Sequence, residues 1–159
     1  MQYRSFARVA SAALLTALVA ASAPTPRFAS RAVSAAAVTI TVFKDPNCGC
    51  CRSWVEHLRK HGFSVVVRDT SDVSGAKRVG RVPEPLHSCH TAFVNGYVVE
   101  GHVPAADIQR LLAEKPKIAG LAVAGMPVGS PGMETGARAT HYDVVAFSRD
   151  GRTHTFARH

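Results

Sequence analysis

Four cysteines are the residues of this chain whose type and spacing carry the clearest chemistry. Three of them cluster in a CGCC segment as Cys48, Cys50 and Cys51, and the fourth, Cys89, is followed directly by His90. Thiolate sulfur is a soft ligand that selects Cu(I), zinc or iron–sulfur centres, and it is also the nucleophile of disulfide exchange. The cysteines therefore predict either a soft-metal site or a redox centre.

The spacing within the CGCC segment bears on this choice. Cys48 and Cys51 form a C-x-x-C pair, as in thioredoxin-type redox centres, but Cys50 lies between them, and a third thiol invites wrong pairing and over-oxidation. Clustered thiolates suit a soft metal better, with Cys89 or His90 completing a set of four ligands. Three alternatives stay open: a thiol–disulfide oxidoreductase using Cys48 and Cys51, a disulfide framework that pairs Cys89 with a CGCC cysteine, and a structural zinc-binding module.

Two methionines and three further histidines are weaker ligand candidates. Met126 and Met133 lie in the segment AGMPVGSPGME. Thioether sulfur binds copper without titrating, although packing against a core is the commoner role of methionine. His102 follows a predicted strand and is a candidate neighbour of the site. His57 and His61 have the i, i+4 spacing of two ligands on one helix, but they fall beyond its first turn, which favours solvated imidazoles.

The elements that position the CGCC segment are a strand and a helix. Residues 38–43 are rich in β-branched side chains and predict a strand. A helix begins at Asn47 or Cys48 and runs to about His61, with Trp54, Val55 and Leu58 on one apolar face. Unpaired N–H groups at a helix start favour the thiolate form of cysteine. Residues 63–69 predict a second strand that is buried on both faces, as in a parallel sheet.

The remaining elements complete an α/β pattern. They are, in order, a short helix at 72–79, a loop at 81–90, strands at 91–94 and 97–100 around an Asn95-Gly96 turn, and a helix between Pro104 and Pro116. A Gly/Pro/Met loop at 119–136 and a hairpin of 142–147 and 153–156 then close the chain. The order βαβ…ββα predicts a thioredoxin-like α/β core with this loop and β-hairpin at its C-terminus.

The N-terminus predicts export. Basic residues precede an apolar run of about 13 residues at 9–21, too short for the ~20 residues of a membrane-spanning helix. We assign residues 1–23 to a signal peptide, with cleavage as late as 35 as the second choice, residues 24–37 to a linker and 38–159 to the metal-binding domain. We therefore expect a periplasmic protein without stable membrane insertion after cleavage, in an oxidising compartment.

The net charge of the 159-residue chain is +8, but its basic residues are scattered. Without a basic run, aromatic interleaving or a nucleic-acid-binding motif, this charge predicts a solvated basic surface and no nucleic-acid partner.

Three segments together resemble a known family. NCGCCRSWVEHL, SCHTAFVNGYVVEGHVPAADI and GLAVAGMPVGSPGME are similar to the CopG-type copper proteins, the domain-of-unknown-function 411 family, and the similarity covers about 38–156. The resemblance implies a thioredoxin-like fold, a part in copper resistance, and a multinuclear copper cluster that interconverts Cu(I) and Cu(II). Its ligands carry over onto Cys48, Cys50, Cys51 and Cys89, whereas ligand roles for His102, Met126 and Met133 do not. A periplasmic copper-export or chaperone protein is the expected partner.

Overall fold

The computed structural model describes residues 37–159, so the predicted signal peptide, 1–23, and the predicted linker up to residue 36 lie outside the described residues. Its elements are β1 (Thr39–Lys44), α1 (Gly49–Lys60), β2 (Ser64–Asp69), α2 (Val73–Gly80), β3 (His90–Val94), β4 (Tyr97–Glu100), α3 (Ala105–Glu114), β5 (Gly120–Ala122), β6 (Asp143–Phe147) and β7 (Thr153–Arg158). Among the described residues, no helix has the length and apolar character needed to cross a membrane.

The strands form one seven-stranded mixed sheet in the order β2-β1-β3-β4-β5-β6-β7. Strands β1 and β2 pair in parallel, as do β4 and β5, and the other neighbours are antiparallel. The α/β class is confirmed, and both predicted hairpins are present. At the β3–β4 turn, Asn95 and Gly96 both have positive φ, as the predicted Asn-Gly turn requires. The thioredoxin-like assignment itself stays a prediction.

Strand β2 differs from its prediction. It lies at the edge of the sheet, and its side chains are half-buried or exposed, with Val66 37% exposed. The run of three valines indicated burial on both faces, but an edge strand pairs on one side only and is covered less than an interior strand.

Strand β5 was missed because residues 119–136 were predicted to form a loop. The three residues of β5 are buried between β4 and β6, and they connect the C-terminal hairpin to the rest of the sheet. A strand of three residues with a glycine is too short for its alternation to be recognised. The hairpin is therefore part of the main sheet.

The sheet topology brings distant segments to one end of the sheet. Lys44 at the end of β1 pairs with His90 at the start of β3, and Thr91 pairs with Glu100 at the end of β4. The segments that follow β1 and β4, and the one that precedes β3, therefore lie together. Helices α1 and α3 supply buried residues to the main core against the sheet, while a smaller cluster around Val98 and Phe147 lies on the other face.

Candidate metal centre

The CGCC segment lies at the start of α1. Cys48 is the N-cap residue, and its sulfur accepts a hydrogen bond from the backbone N–H of Cys51 at 3.3 Å. Cys51 is fully buried, whereas Cys50 is half-buried with its sulfur 3.4 Å from that of Cys48. The predicted helix start is thereby confirmed, with Gly49 as its first residue.

Cys48 and Cys51 form a disulfide, while Cys50 and Cys89 are free thiols. The disulfide framework in which Cys89 pairs with a CGCC cysteine is therefore wrong. The Cys48–Cys51 pairing has a local cause, because the side chains of an N-cap residue and of the third helical residue lie close enough for their sulfurs to bond. The bonded pair is the C-x-x-C pair, so the structure describes the oxidised form of the cluster.

Cys89 approaches the cluster from the other side of the site. It lies just before β3, and Cys51 Sγ is 4.0 Å from its carbonyl oxygen. The four cysteine sulfurs lie within 4.8 Å of one another. Two sulfurs bound to one metal ion at about 2.3 Å are at most ~4.6 Å apart. Reduction of the Cys48–Cys51 disulfide would therefore leave four thiols close enough to converge on a soft ion.

Two buried histidines extend the donor set. The sulfur of Cys89 lies 3.3 Å from Nδ1 of His90 and 3.1 Å from Nε2 of His102, and one donor atom from each of these three residues meets within 4.8 Å. Nδ1 of His102 lies 2.8 Å from the carbonyl oxygen of Pro131, which can only accept. Neutral His102 therefore presents the lone pair of Nε2 to Cys89.

Nε2 of His90 is buried without a hydrogen-bond partner, in a side chain with no exposed surface. A buried imidazole nitrogen normally has a partner, and an unpartnered one calls for an explanation such as an ion. The Trp54 ring packs against the His90 ring, with the two ring centroids 4.3 Å apart. The indole N–H of Trp54 donates to the carbonyl of Val103 at 2.9 Å. Helix periodicity predicts that Trp54 lies on the apolar face of α1 but carries no signal for its contact with His90.

Burial controls protonation at the site. Desolvation, followed by the nearby Cys50 sulfur, raises the pKa of the Cys89 thiol to about 12. Desolvation, followed by His102, lowers the pKa of His90 well below its usual 6.5, and burial also lowers that of His102. In the metal-free site Cys89 is therefore a thiol beside neutral imidazoles, and binding of a metal ion by its sulfur must release a proton.

The Gly/Pro/Met loop covers this centre. Gly132 has φ +86°, and a Cβ atom there would lie 2.8 Å from both the Cys50 carbonyl oxygen and the backbone nitrogen of Trp54. At the other end of the loop, the Ser88 hydroxyl donates to the carbonyl of Gly125. These two contacts hold the loop against both sides of the site. Met126 directly follows Gly125 and Met133 directly follows Gly132, so each methionine is adjacent in sequence to a residue that contacts the site.

The two methionines differ in exposure, since Met126 is 53% exposed and Met133 is half-buried. His57 was expected to be solvated, but it is half-buried, and its Nε2 accepts the N–H of Ala105 at 3.1 Å. His57 therefore caps the start of α3, and this nitrogen is not free to bind a metal. Of the histidines considered, the structure brings His90 and His102 to the cysteines.

The donor set of four sulfurs and two imidazoles fits copper. Thiolates stabilise Cu(I), and imidazole suits copper in either oxidation state. Carboxylate oxygens, which hard cations such as Mg²⁺ prefer, are absent from both groups of converging donors found among the described residues. The fold and the site together define an α/β protein with a sulfur-rich centre that is capable of binding a soft metal.

Comparisons with known proteins agree with this class. The family model described as "Protein of unknown function, DUF411" matches residues 86–133. Two solved structures, described as copper resistance protein copG in forms 2 and 1, are 46% identical to the chain, with TM-scores of 0.74 and 0.73. Each comparison covers 77% of this chain and 98% of the other. A search among curated proteins found no match.

This chain therefore belongs to the CopG-type, DUF411 family of copper resistance proteins. The resemblance inferred from the three sequence segments is confirmed. The match at 86–133 contains Cys89, His102 and most of the covering loop, while the two structural matches extend over most of the described domain.

Proposed function

We propose that this protein is an exported copper-binding protein that contributes to copper resistance by sequestering copper at Cys48, Cys50, Cys51 and Cys89. The observation that carries the proposal is the approach of four sulfurs, from two separate segments, to within 4.8 Å of one another. The names of the structural relatives support copper over other soft metals. A signal peptide at the N-terminus would deliver the domain to the periplasm.

More than one copper ion is expected at this centre. Cys89 belongs to both groups of converging donors, one with three other cysteines and one with His90 and His102. A thiolate sulfur has several lone pairs and can bridge two ions, so Cys89 is placed to join a sulfur-rich site to a mixed sulfur and nitrogen site. Binding of at least two Cu(I) per reduced chain in a titration supports this part of the proposal.

The disulfide supports a second part, interconversion of Cu(I) and Cu(II). Formation of the Cys48–Cys51 bond from two thiols releases two electrons and two protons, and two Cu(II) ions accept one electron each to become Cu(I). Anaerobic mixing of reduced protein with Cu(II) should yield two Cu(I) per disulfide formed, measured with a Cu(I)-specific chelator and a thiol count. A Cys51→Ser variant, which cannot form this bond, should yield less Cu(I).

Copper binding itself is tested with Cys50→Ser in reduced protein. Chelator competition should show a loss of Cu(I) affinity above about 100-fold, which exceeds the usual effect of removing an outer partner of a ligand. Ser53→Ala is the matched control, because Ser53 lies on the same helix and its hydroxyl donates only to the Gly49 carbonyl. Unchanged affinity and stoichiometry in Cys50→Ser would contradict the thiolate site.

Thiol–disulfide exchange is the second candidate function, and the Cys48–Cys51 disulfide is the observation that favours it. It predicts turnover in an insulin-reduction assay, with Cys50 dispensable. A structural zinc module predicts instead one equivalent of zinc in protein isolated from the exported compartment. Elemental analysis with a thiol count separates these outcomes from copper.

A further inference from the structure

A buried carboxylate lies behind the loop that carries Cys89. Glu100, the last residue of β4, is fully buried, and its Oε1 accepts hydrogen bonds from Lys77 Nζ at 2.5 Å and from the Ser88 backbone N–H at 2.6 Å. Its Oε2 accepts a hydrogen bond from the Thr91 hydroxyl at 2.7 Å. One side chain therefore joins α2, the start of β3 and the segment before β3.

Ser88 and Thr91 are the residues on either side of Cys89 and His90. Glu100 thus holds both ends of the four-residue segment 88–91 that presents the sulfur. The chain also runs on from Glu100 to His102, and the intervening Gly101 N–H donates to the His90 carbonyl at 3.0 Å. The same carboxylate therefore relates the two segments whose donors meet in the site.

The ion pair between Lys77 and Glu100 is a poor source of stability, because the desolvation of two buried charges offsets their attraction. A buried network with every partner satisfied does, however, select one geometry over its alternatives. Lys77 also neutralises the carboxylate, so that no net negative charge from this pair opposes the thiolate form of Cys89.

We propose that Glu100 is a positioning residue for Cys89, acting through the Ser88 N–H and the Thr91 hydroxyl. It holds the segment 88–91 so that the Cys89 sulfur faces the CGCC segment and His102. Without it, the segment samples other conformations and the sulfur leaves the cluster. Its effect on copper affinity rests on the proposed function, whereas its effect on the metal-free loop does not.

The metal-free effect is tested by pulse alkylation of fully reduced protein, with Cys89 and Cys50 labelling quantified by mass spectrometry. Glu100→Gln should raise Cys89 labelling relative to Cys50 by about 10-fold, the factor expected for losing one hydrogen bond to a charged group. Because Glu100→Gln leaves Lys77 unpaired, the double variant Lys77→Met/Glu100→Met removes both charges and should fold. Since methionine accepts a hydrogen bond from neither Ser88 nor Thr91, its labelling increase should be at least as large.

The copper effect is tested on the same variants by chelator competition, where Cu(I) affinity should fall by about 10–100-fold, as for other partners that orient metal ligands. The number of sulfur ligands bound to copper, measured by X-ray absorption, should fall because the Cys89 sulfur no longer coordinates. Leu111→Ala is the control: it removes a buried core side chain on α3, outside this network, and should preserve both the labelling ratio and the affinity.

The outcomes separate the two proposals. Increased Cys89 labelling in the Glu100 variants, together with a wild-type protein that binds no Cu(I), supports positioning and refutes copper binding. Tight Cu(I) binding by wild type, with unchanged labelling and affinity in the double variant, overturns positioning alone. Equal changes in Leu111→Ala also overturn it, because Glu100 would then act only through general stability.

Discussion

The two sides of the proposed copper site are positioned in different ways. The CGCC side is local: Cys48 caps α1, and its bonded partner Cys51 lies three residues along the chain. The other side is assembled from distant segments, with Cys89 beside His102, and His102 in turn held by the Pro131 carbonyl. The first geometry belongs to one helix start, whereas the second needs the whole sheet and the covering loop.

From this difference we expect the two sides to form at different stages of folding and to fail for different reasons. A helix start with its cap needs only short-range contacts, while Cys89 reaches the cluster only after β3 has paired with β1 and β4. Trp54 joins the two sides, because it belongs to α1 and contacts both His90 and Val103.

The largest expected effect is that of Trp54→Ala, which breaks this connection. Removal of a fully buried indole should lower the free energy of unfolding by about 3–5 kcal/mol, measured by urea denaturation of reduced, metal-free protein. Leu58→Ala, one turn further along the same buried face, is the control for cavity formation. Copper affinity should fall more in Trp54→Ala than in Leu58→Ala, and equal losses would show that the two sides are not coupled through the indole.

A second change tests the covering loop. Gly132→Ala combines a positive φ with a clash against the backbone of α1, whereas Gly136→Ala has φ +78° and open space. The strained backbone alone costs about 1–2 kcal/mol, and the clash should add about 1–3 kcal/mol at Gly132. Urea denaturation of both variants measures the difference, and equal destabilisation would mean that the loop moves off the helix without loss.

The assembled side should contribute to the pH dependence of stability, in addition to His57 on α1, whose pKa burial also lowers. Burial lowers the pKa of His90 and His102 in the folded protein, so below about pH 6.5 the unfolded chain binds more protons and stability falls as the pH is lowered. Each such imidazole adds a slope of about 1.4 kcal/mol per pH unit once the unfolded form is protonated. The stabilisation from the neutral imidazoles is fully present above about pH 6.5 and is lost progressively as the pH falls below that value.

His90→Phe checks this assignment. A phenyl ring can occupy the place of the imidazole beside Trp54 and takes up no proton, so the slope of unfolding free energy between pH 6 and 5 should decrease by about 1.4 kcal/mol per unit. Urea denaturation of metal-free protein across this range gives the slope. An unchanged slope in His90→Phe would assign the pH dependence elsewhere in the molecule.

The local side of the site was the more predictable one. The β-branched run before the CGCC segment and the apolar face of Trp54, Val55 and Leu58 located β1 and α1 almost to the residue, because strand alternation, helix periodicity and capping are short-range properties. The Asn95-Gly96 turn was equally clear. These signals also placed Cys89 just before β3, where the structure has it.

The assembled side could be predicted only in part. His102 was recognised as a neighbour of the site from its place after β4, but its bond to Pro131 depends on the path of the covering loop, which no periodicity describes. The short strand β5 was not predicted because three residues are too few to show an alternation. The burial of Glu100 was not predicted because a single glutamate at a strand end is usually exposed to solvent. His57 was misassigned because helix capping by a distant imidazole leaves no sequence signal.

The smallest expected effect belongs to the local side, at the cap of α1. In reduced, metal-free protein, Cys48→Ala removes the acceptor of the Cys51 N–H and should lower the free energy of unfolding by about 0.5–1 kcal/mol. Cys48→Ser keeps an acceptor at that position and should match or exceed the stability of the reduced wild type. Comparison under reducing conditions excludes the disulfide as a cause, so equal stability of Cys48→Ala and the reduced wild type would show that the sulfur contributes nothing as a cap and that α1 begins without it.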